Sequence, residues 1–319
     1  MSQQFGRLLR GAAALFAVFA VSGFGAPATL AKDAETGASS STQTRTLEEL
    51  RRQVRERIVT AGRQRMLAET MAGKLCFAES GIAPDLNRNR VYVSWNIFSW
   101  YHRGIRAGNV QLELDAEQDR KVLAAWRKLD AEWRTLSELY RPTLSGKRVV
   151  GTDFKTTIDK TRRVTEEATT LVATIRSAYA KDLGAQGFGS ALLIDLYERQ
   201  RMLGARIAKD VCLISRGDTG QARLEGLTRT IEIFNLSLEA FQNGRADVGV
   251  PSPPNRGIAQ SLLDAQAHWR PVSAFAYASA IGQQLGPVEL GEFSDAMELF
   301  NVKMTEAINR LVSHKNQSG

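Results

Sequence analysis

Two arginines and the only two cysteines carry most of the chemistry this sequence offers. The stretch "AGRQRMLAETMAGKLC" occupies residues 61–76, and "YERQRMLGARIAKDVC" occupies residues 197–212. Arg65 and Cys76 in the first, and Arg201 and Cys212 in the second, lie eleven residues apart, close to three helical turns. Within each stretch the arginine and the cysteine therefore share a helix face. A guanidinium grips a planar anion through two parallel N–H bonds, and two thiols held at the right distance close a disulfide.

The shared face reads Ile58, Gly62, Arg65, Glu69, Ala72 and Cys76 in the first stretch, and Ile194, Glu198, Arg201, Ala205, Ala208 and Cys212 in the second. A neighbouring stripe of Leu67, Met71 and Leu75, matched by Leu203, Ile207 and Val211, is the natural core face. The arginine stripe is left for a second contact, and that contact can be the other stretch. Packing about a pseudo-twofold axis brings Arg65 toward Arg201 and Cys76 toward Cys212. The cysteines then either form a disulfide or serve as small buried hydrophobes. Two guanidiniums about 5 Å apart repel by roughly 3 kcal/mol at an effective dielectric of about 20. A bound anion relieves that repulsion, and so does a local carboxylate: Glu69 lies four residues after Arg65, and Glu198 three before Arg201.

The elements that must position these residues come in two sets. Offsetting the chain by 136 residues aligns Arg63 to Leu67 with Arg199 to Leu203, Ile97-Phe98 with Ile233-Phe234, Gly108 with Gly244, and Trp133-Arg134 with Trp269-Arg270. A fixed offset kept this far is the mark of an internal duplication. Apolar residues recur at three- and four-residue intervals, with breaks at Gly81–Pro84, Pro142–Gly146, Gly217-Asp218 and Pro251–Pro254. The pattern predicts an all-α chain of two four-helix bundles, 47–183 and 184–316. Helices are expected near 47–80, 86–107, 115–141 and 152–182, then 188–216, 219–243, 255–281 and 287–314. Strand-like alternation is confined to short pieces such as Val110–Leu114. "GAQGFG" at 184–189 follows a helix and has the wrong glycine order for a phosphate loop, so it reads as a linker or helix break.

Arg7 and Arg10 precede an apolar run from Gly11 to Phe24 and small residues at Ala26-Pro27-Ala28 and Thr29-Leu30-Ala31, the pattern of a cleaved signal peptide over 1–31. Residues 32–46 are polar and Ser/Thr-rich, the composition of a disordered leader. Export to the periplasm follows as an expectation. The formal charge of +8 includes Arg7 and Arg10 of the signal peptide, which leaves +6 spread along the rest, a pattern that argues against nucleic acid. Three histidines, His102, His268 and His314, form no di-metal pattern, and no haem or redox cysteine motif occurs. The expectation is a non-enzyme with no metal and no cofactor. Asp264 and His268, four apart, read as a surface pair, and Trp133 and Trp269 as core anchors.

"AGRQRMLAETMAGK" resembles the first helix of the sensory domain of type IV pilus methyl-accepting chemotaxis transducers, the PilJ-type domain. It is also similar to the periplasmic domain of nitrate/nitrite sensor kinases, whose helix carries Ala-Gly-x-x-Arg-Met, here Ala61, Gly62, Arg65 and Met66. The segment "IFNLSLEAFQNGRADVGVPSPPNRGIAQSLLDAQAHW" resembles the second helix, turn and third helix of the same domain. The resemblance implies that Arg65 with Gly62 and Met66, and Arg201 with Met202, hold a small nitrate- or nitrite-like anion between the bundles. In the second copy Tyr197-Glu198 replaces Ala-Gly, which places a negative charge beside that anion. Members continue into a membrane helix and an output module, whereas this chain stops at "NRLVSHKNQSG". A sensor of this form would act through a membrane sensor or chemoreceptor partner. The alternative is an envelope structural or interaction protein with no small ligand.

Overall fold

The computed structural model describes residues 46–317, so the signal peptide and all of the leader but Thr46 lie outside the described residues. Eight helices follow one another: α1 (Leu47–Glu79), α2 (Pro84–Ala107), α3 (Arg120–Leu144), α4 (Gly151–Ala178), α5 (Ala180–Ser215), α6 (Gln221–Asn243), α7 (Arg256–Ala280) and α8 (Pro287–Gln317). The fold is all-α. Their starts are set locally: Thr46 caps Glu49, Asp119 caps Lys121 and Val122, and Asn255 caps Ile258, while Pro84 opens α2. The ends are set by turns that demand glycine. Gly108 and Gly244 take positive φ after α2 and α6, and a Cβ there would come within 2.7 Å of the backbone of Ala116 and of Ser252 respectively.

The short alternation at Val110–Leu114 does not form a continuous strand. Val110–Leu112 is a 3-10 turn, held by the Asn109 side chain, between two strand fragments, β1 (Gly108–Asn109) and β2 (Leu114–Ala116). "GAQGFG" breaks the helix at one residue, Gly184 (φ 62°, ψ −179°), and α5 continues on either side of it. Pro142 sits inside the last turns of α3.

In the first set, α1 packs on α2 and α4, α2 on α3, and α3 on α4. In the second, α5 packs on α6 and α8, α6 on α7, and α7 on α8. Each set is a four-helix bundle. The same aromatic pair anchors both: Phe98 stacks on Trp133 at 3.9 Å, and Phe234 lies 4.4 Å from Trp269. In the first bundle Trp126 adds a further layer, stacking on His102 at 4.5 Å and donating to that residue's carbonyl.

The two bundles meet through α1 and α5. Gly62 lies against Glu198, Gly73 against Lys209, and Cys76 is joined to Cys212 by a disulfide with Cα atoms 6.1 Å apart. Each of these pairs is separated by 136 residues. The helices therefore run parallel and in register for about 21 Å, at 1.5 Å per residue. Surrounded on nearly every side, both are buried almost throughout their second halves.

Two outcomes follow from this packing. The disulfide closes a long loop in the unfolded chain, so Cys76→Ala with Cys212→Ala should lower the unfolding free energy in urea by roughly 2 to 5 kcal/mol. His102 is buried between Gln64 and Asp130, and burial pushes its pKa from 6.5 down to about 4. Between those values the unfolded imidazole takes up a proton that the folded one refuses. Stability should thus fall by about 3 kcal/mol as pH drops through that window. In His102→Gln that part of the pH dependence should vanish from urea unfolding curves.

Candidate functional site

The α1–α5 seam buries charges that would normally face water. Three carboxylates lie along it, each held by two cations. Asp195 accepts from Arg65 Nη2 at 2.6 Å and stands 3.5 Å from Arg176 Nη1. Glu198, with no exposed side-chain surface, meets Arg201 Nη1 at 3.3 and 3.4 Å and lies 3.8 Å from Arg63 Nε. Glu69 accepts from Arg206 Nε and Nη2 at 3.0 and 2.9 Å, and from Lys209 Nζ at 2.7 Å. The outer donors are also engaged: Arg201 Nη2 binds Asn309 Oδ1 at 2.6 Å and the Thr305 carbonyl, and Arg63 donates to the Tyr101 hydroxyl.

Burial alone would raise the Glu69 pKa, but Lys209 and Arg206 outweigh it and hold the carboxyl below its ordinary 4.5. Arg63 is pushed down by burial and up by Glu198 and Tyr101, with a net rise. For Arg201 burial wins over Glu198, and the nearby Arg63 charge pushes the same way. Arginine remains charged under all these shifts. The seam holds fixed charges in place.

Arg65 and Arg201 do not meet on one carboxylate. The guanidinium across Glu198 from Arg201 belongs to Arg63, while Arg65 turns to Asp195. Nor does Arg65 pair with Glu69. Helical side chains lean toward the N-terminus; Arg65 Nε lies 3.5 Å from the Gly62 carbonyl, and Nη2 reaches Asp195, which precedes the in-register partner Arg201 on α5. The same lean lets Arg201 meet Glu198, three residues before it. Gly62 makes room for Glu198, since a Cβ at residue 62 would lie 2.8 Å from the Glu198 Cβ. Met202 is buried, and Met66 lines a cleft on the flank of the seam together with Arg201.

Arg63, Asp195, Arg206 and Lys209 were missed in reading the sequence. The row Asp195, Glu198, Arg201 has a three-residue spacing that marks a connected helix face. Arg63 had no such marker, because its counterpart Arg199 is exposed. Of the other pairs, His268 Nδ1 meets only the backbone carbonyl of Asp264. Among the described residues no cluster of three His, Cys, Asp or Glu is placed to hold a metal, and no helix is long and apolar enough to cross a membrane. No protein-family model matches the chain, and no curated protein matches it in sequence.

Removing one member of a buried charge cluster leaves the others uncompensated. Glu69→Gln should cost about 3 to 5 kcal/mol at neutral pH in denaturant unfolding. The wild-type carboxyl binds its proton more weakly folded than unfolded. Its contribution is therefore complete above 4.5 and lost as pH falls through the lower folded value; in Glu69→Gln that acid-side loss should be absent.

Proposed function

We propose that this chain is an exported, non-enzymatic interaction module whose two bundles are fixed together by an anion of its own. The observation that carries this reading is Glu198, whose carboxylate lies between Arg63 and Arg201 and opposite Gly62. In the sensory domains the sequence resembles, an arginine and a nearby glycine clamp a free anion at a dimer interface. Here a side chain takes that place, so the bundles hold their relative position without a ligand. The disulfide between them supports a location in an oxidising compartment, the periplasm. On this reading function passes to the outer surface of the helices, and the partner is a membrane sensor or chemoreceptor protein of the envelope.

Thermal unfolding of the purified protein in nitrate, nitrite, formate and chloride at matched ionic strength tests the reading. The wild type should show no selective stabilisation. Glu198→Ala should melt lower and be rescued saturably by nitrate or formate, by about 2.7 kcal/mol at about one hundred times the dissociation constant. Selective stabilisation of the wild type that disappears in Arg65→Ala with Arg201→Ala would instead make the protein an anion sensor.

A further inference from the structure

We infer that the cleft on one flank of the α1–α5 seam binds a small carboxylate with an apolar body. The cleft measures about 260 Å³ and is walled by both bundles: Met66 and Thr70 from α1, Val93 from α2, Gly204 from α5, and Phe300 and Met304 from α8. That is smaller than the pockets that take drug-sized ligands, and suits one ring or a short chain. Phe300 and the methionines give it a polarisable apolar surface. At Gly204 an added Cβ would stand 3.4 Å from the Phe300 ring, so the glycine lets that ring pack close against α5.

Charge sets the other half of the specificity. At the rim, Lys74 Nζ and Arg90 Nη1 share one oxygen of Glu298, at 2.8 and 3.2 Å, so the two cations converge on a single carboxylate, with Asp295 acting on Lys74 from farther off. Arg201, also on the lining, shares its carboxylate with Arg63. Burial pushes the Lys74 ammonium down despite Glu298, and a second anion beside it would favour its charge. Arg201 Nε, a donor on a lining residue, has no hydrogen-bond partner among the described residues.

The residues that line the cleft are not repeated at the equivalent positions of the opposite flank. There Arg206 stands at the position of Thr70, and its guanidinium crosses the seam to Glu69. Gly226, Arg162 and Val164 take the positions of Arg90, Glu298 and Phe300. The rim cations, the carboxylate between them and the aromatic wall thus occur on one side only.

This site does not depend on Glu198 acting as an internal anion, and a probe set separates the two. The full chain is titrated with benzoate and hexanoate, with benzamide as the neutral isostere and acetate as the head without the body, by calorimetry and thermal unfolding. Benzoate or hexanoate should raise the melting temperature saturably, and benzamide and acetate should not. Arg90→Gln should weaken benzoate about tenfold, a difference calorimetry resolves readily, and Thr70→Trp should abolish binding by filling the cleft while helical circular dichroism is kept. No binding of either carboxylate, or benzamide binding as well as benzoate with no effect of Arg90→Gln, would overturn the assignment. Nitrate rescue of Glu198→Ala bears only on the seam and leaves this outcome untouched.

Discussion

When two parallel helices pack in register about a pseudo-twofold axis, every residue meets its own counterpart. A buried arginine in one then faces a buried arginine in the other. Nearly everything else in this protein follows from how the α1–α5 contact avoids that clash. The backbones keep the symmetry, as the pairs Gly62–Glu198, Gly73–Lys209 and Cys76–Cys212 record. The side chains abandon it: where one helix has a glycine the other has a charge, and Glu69 faces cations from a copy that has Ala205 in its place.

The result is a seam whose charges are costly to bury singly and favourable only as a set. A buried ion pair is weak as a source of stability, because desolvation consumes much of the attraction. What it can do is fix register. Sliding α5 by one turn would separate Asp195 from Arg65, Glu198 from Arg63 and Lys209 from Glu69 at once, and would pull apart the disulfide. Hydrophobic burial holds each bundle together, and electrostatic complementarity determines how the two meet.

Asymmetry along the seam also divides its flanks. On one side Arg206 spans the gap between the bundles; on the other the short Thr70 leaves a cleft with an apolar floor and a basic rim. The helical frames correspond on both sides: the 3-10 turns Val110–Leu112 and Ala246–Val248, and helices α3 and α7, begin 136 residues apart. The side chains, not the helical frames, distinguish the two flanks. Two similar helical frames with different side chains can carry different contacts on their two faces.

The sequence by itself determined the helices, their breaks and the pairing of equivalent stripes, because apolar periodicity, capping residues and turn glycines act over a few residues and are written in order. It offered α1 against α5 as one contact for the stripe of Gly62, Arg65 and Cys76, and the fold makes that contact. It left the state of the two cysteines open, since bonding depends on a distance that no spacing encodes; the fold decides it at 6.1 Å between Cα atoms. The partners of Arg65 and Arg201 were likewise beyond it. A guanidinium on a long flexible stem can reach carboxylates on its own helix or on the next, and the N-terminal lean of the side chain together with the position of Asp195 selects among them. Charge pairing across a seam is a property of two helices at once, and only the tertiary structure brings them together.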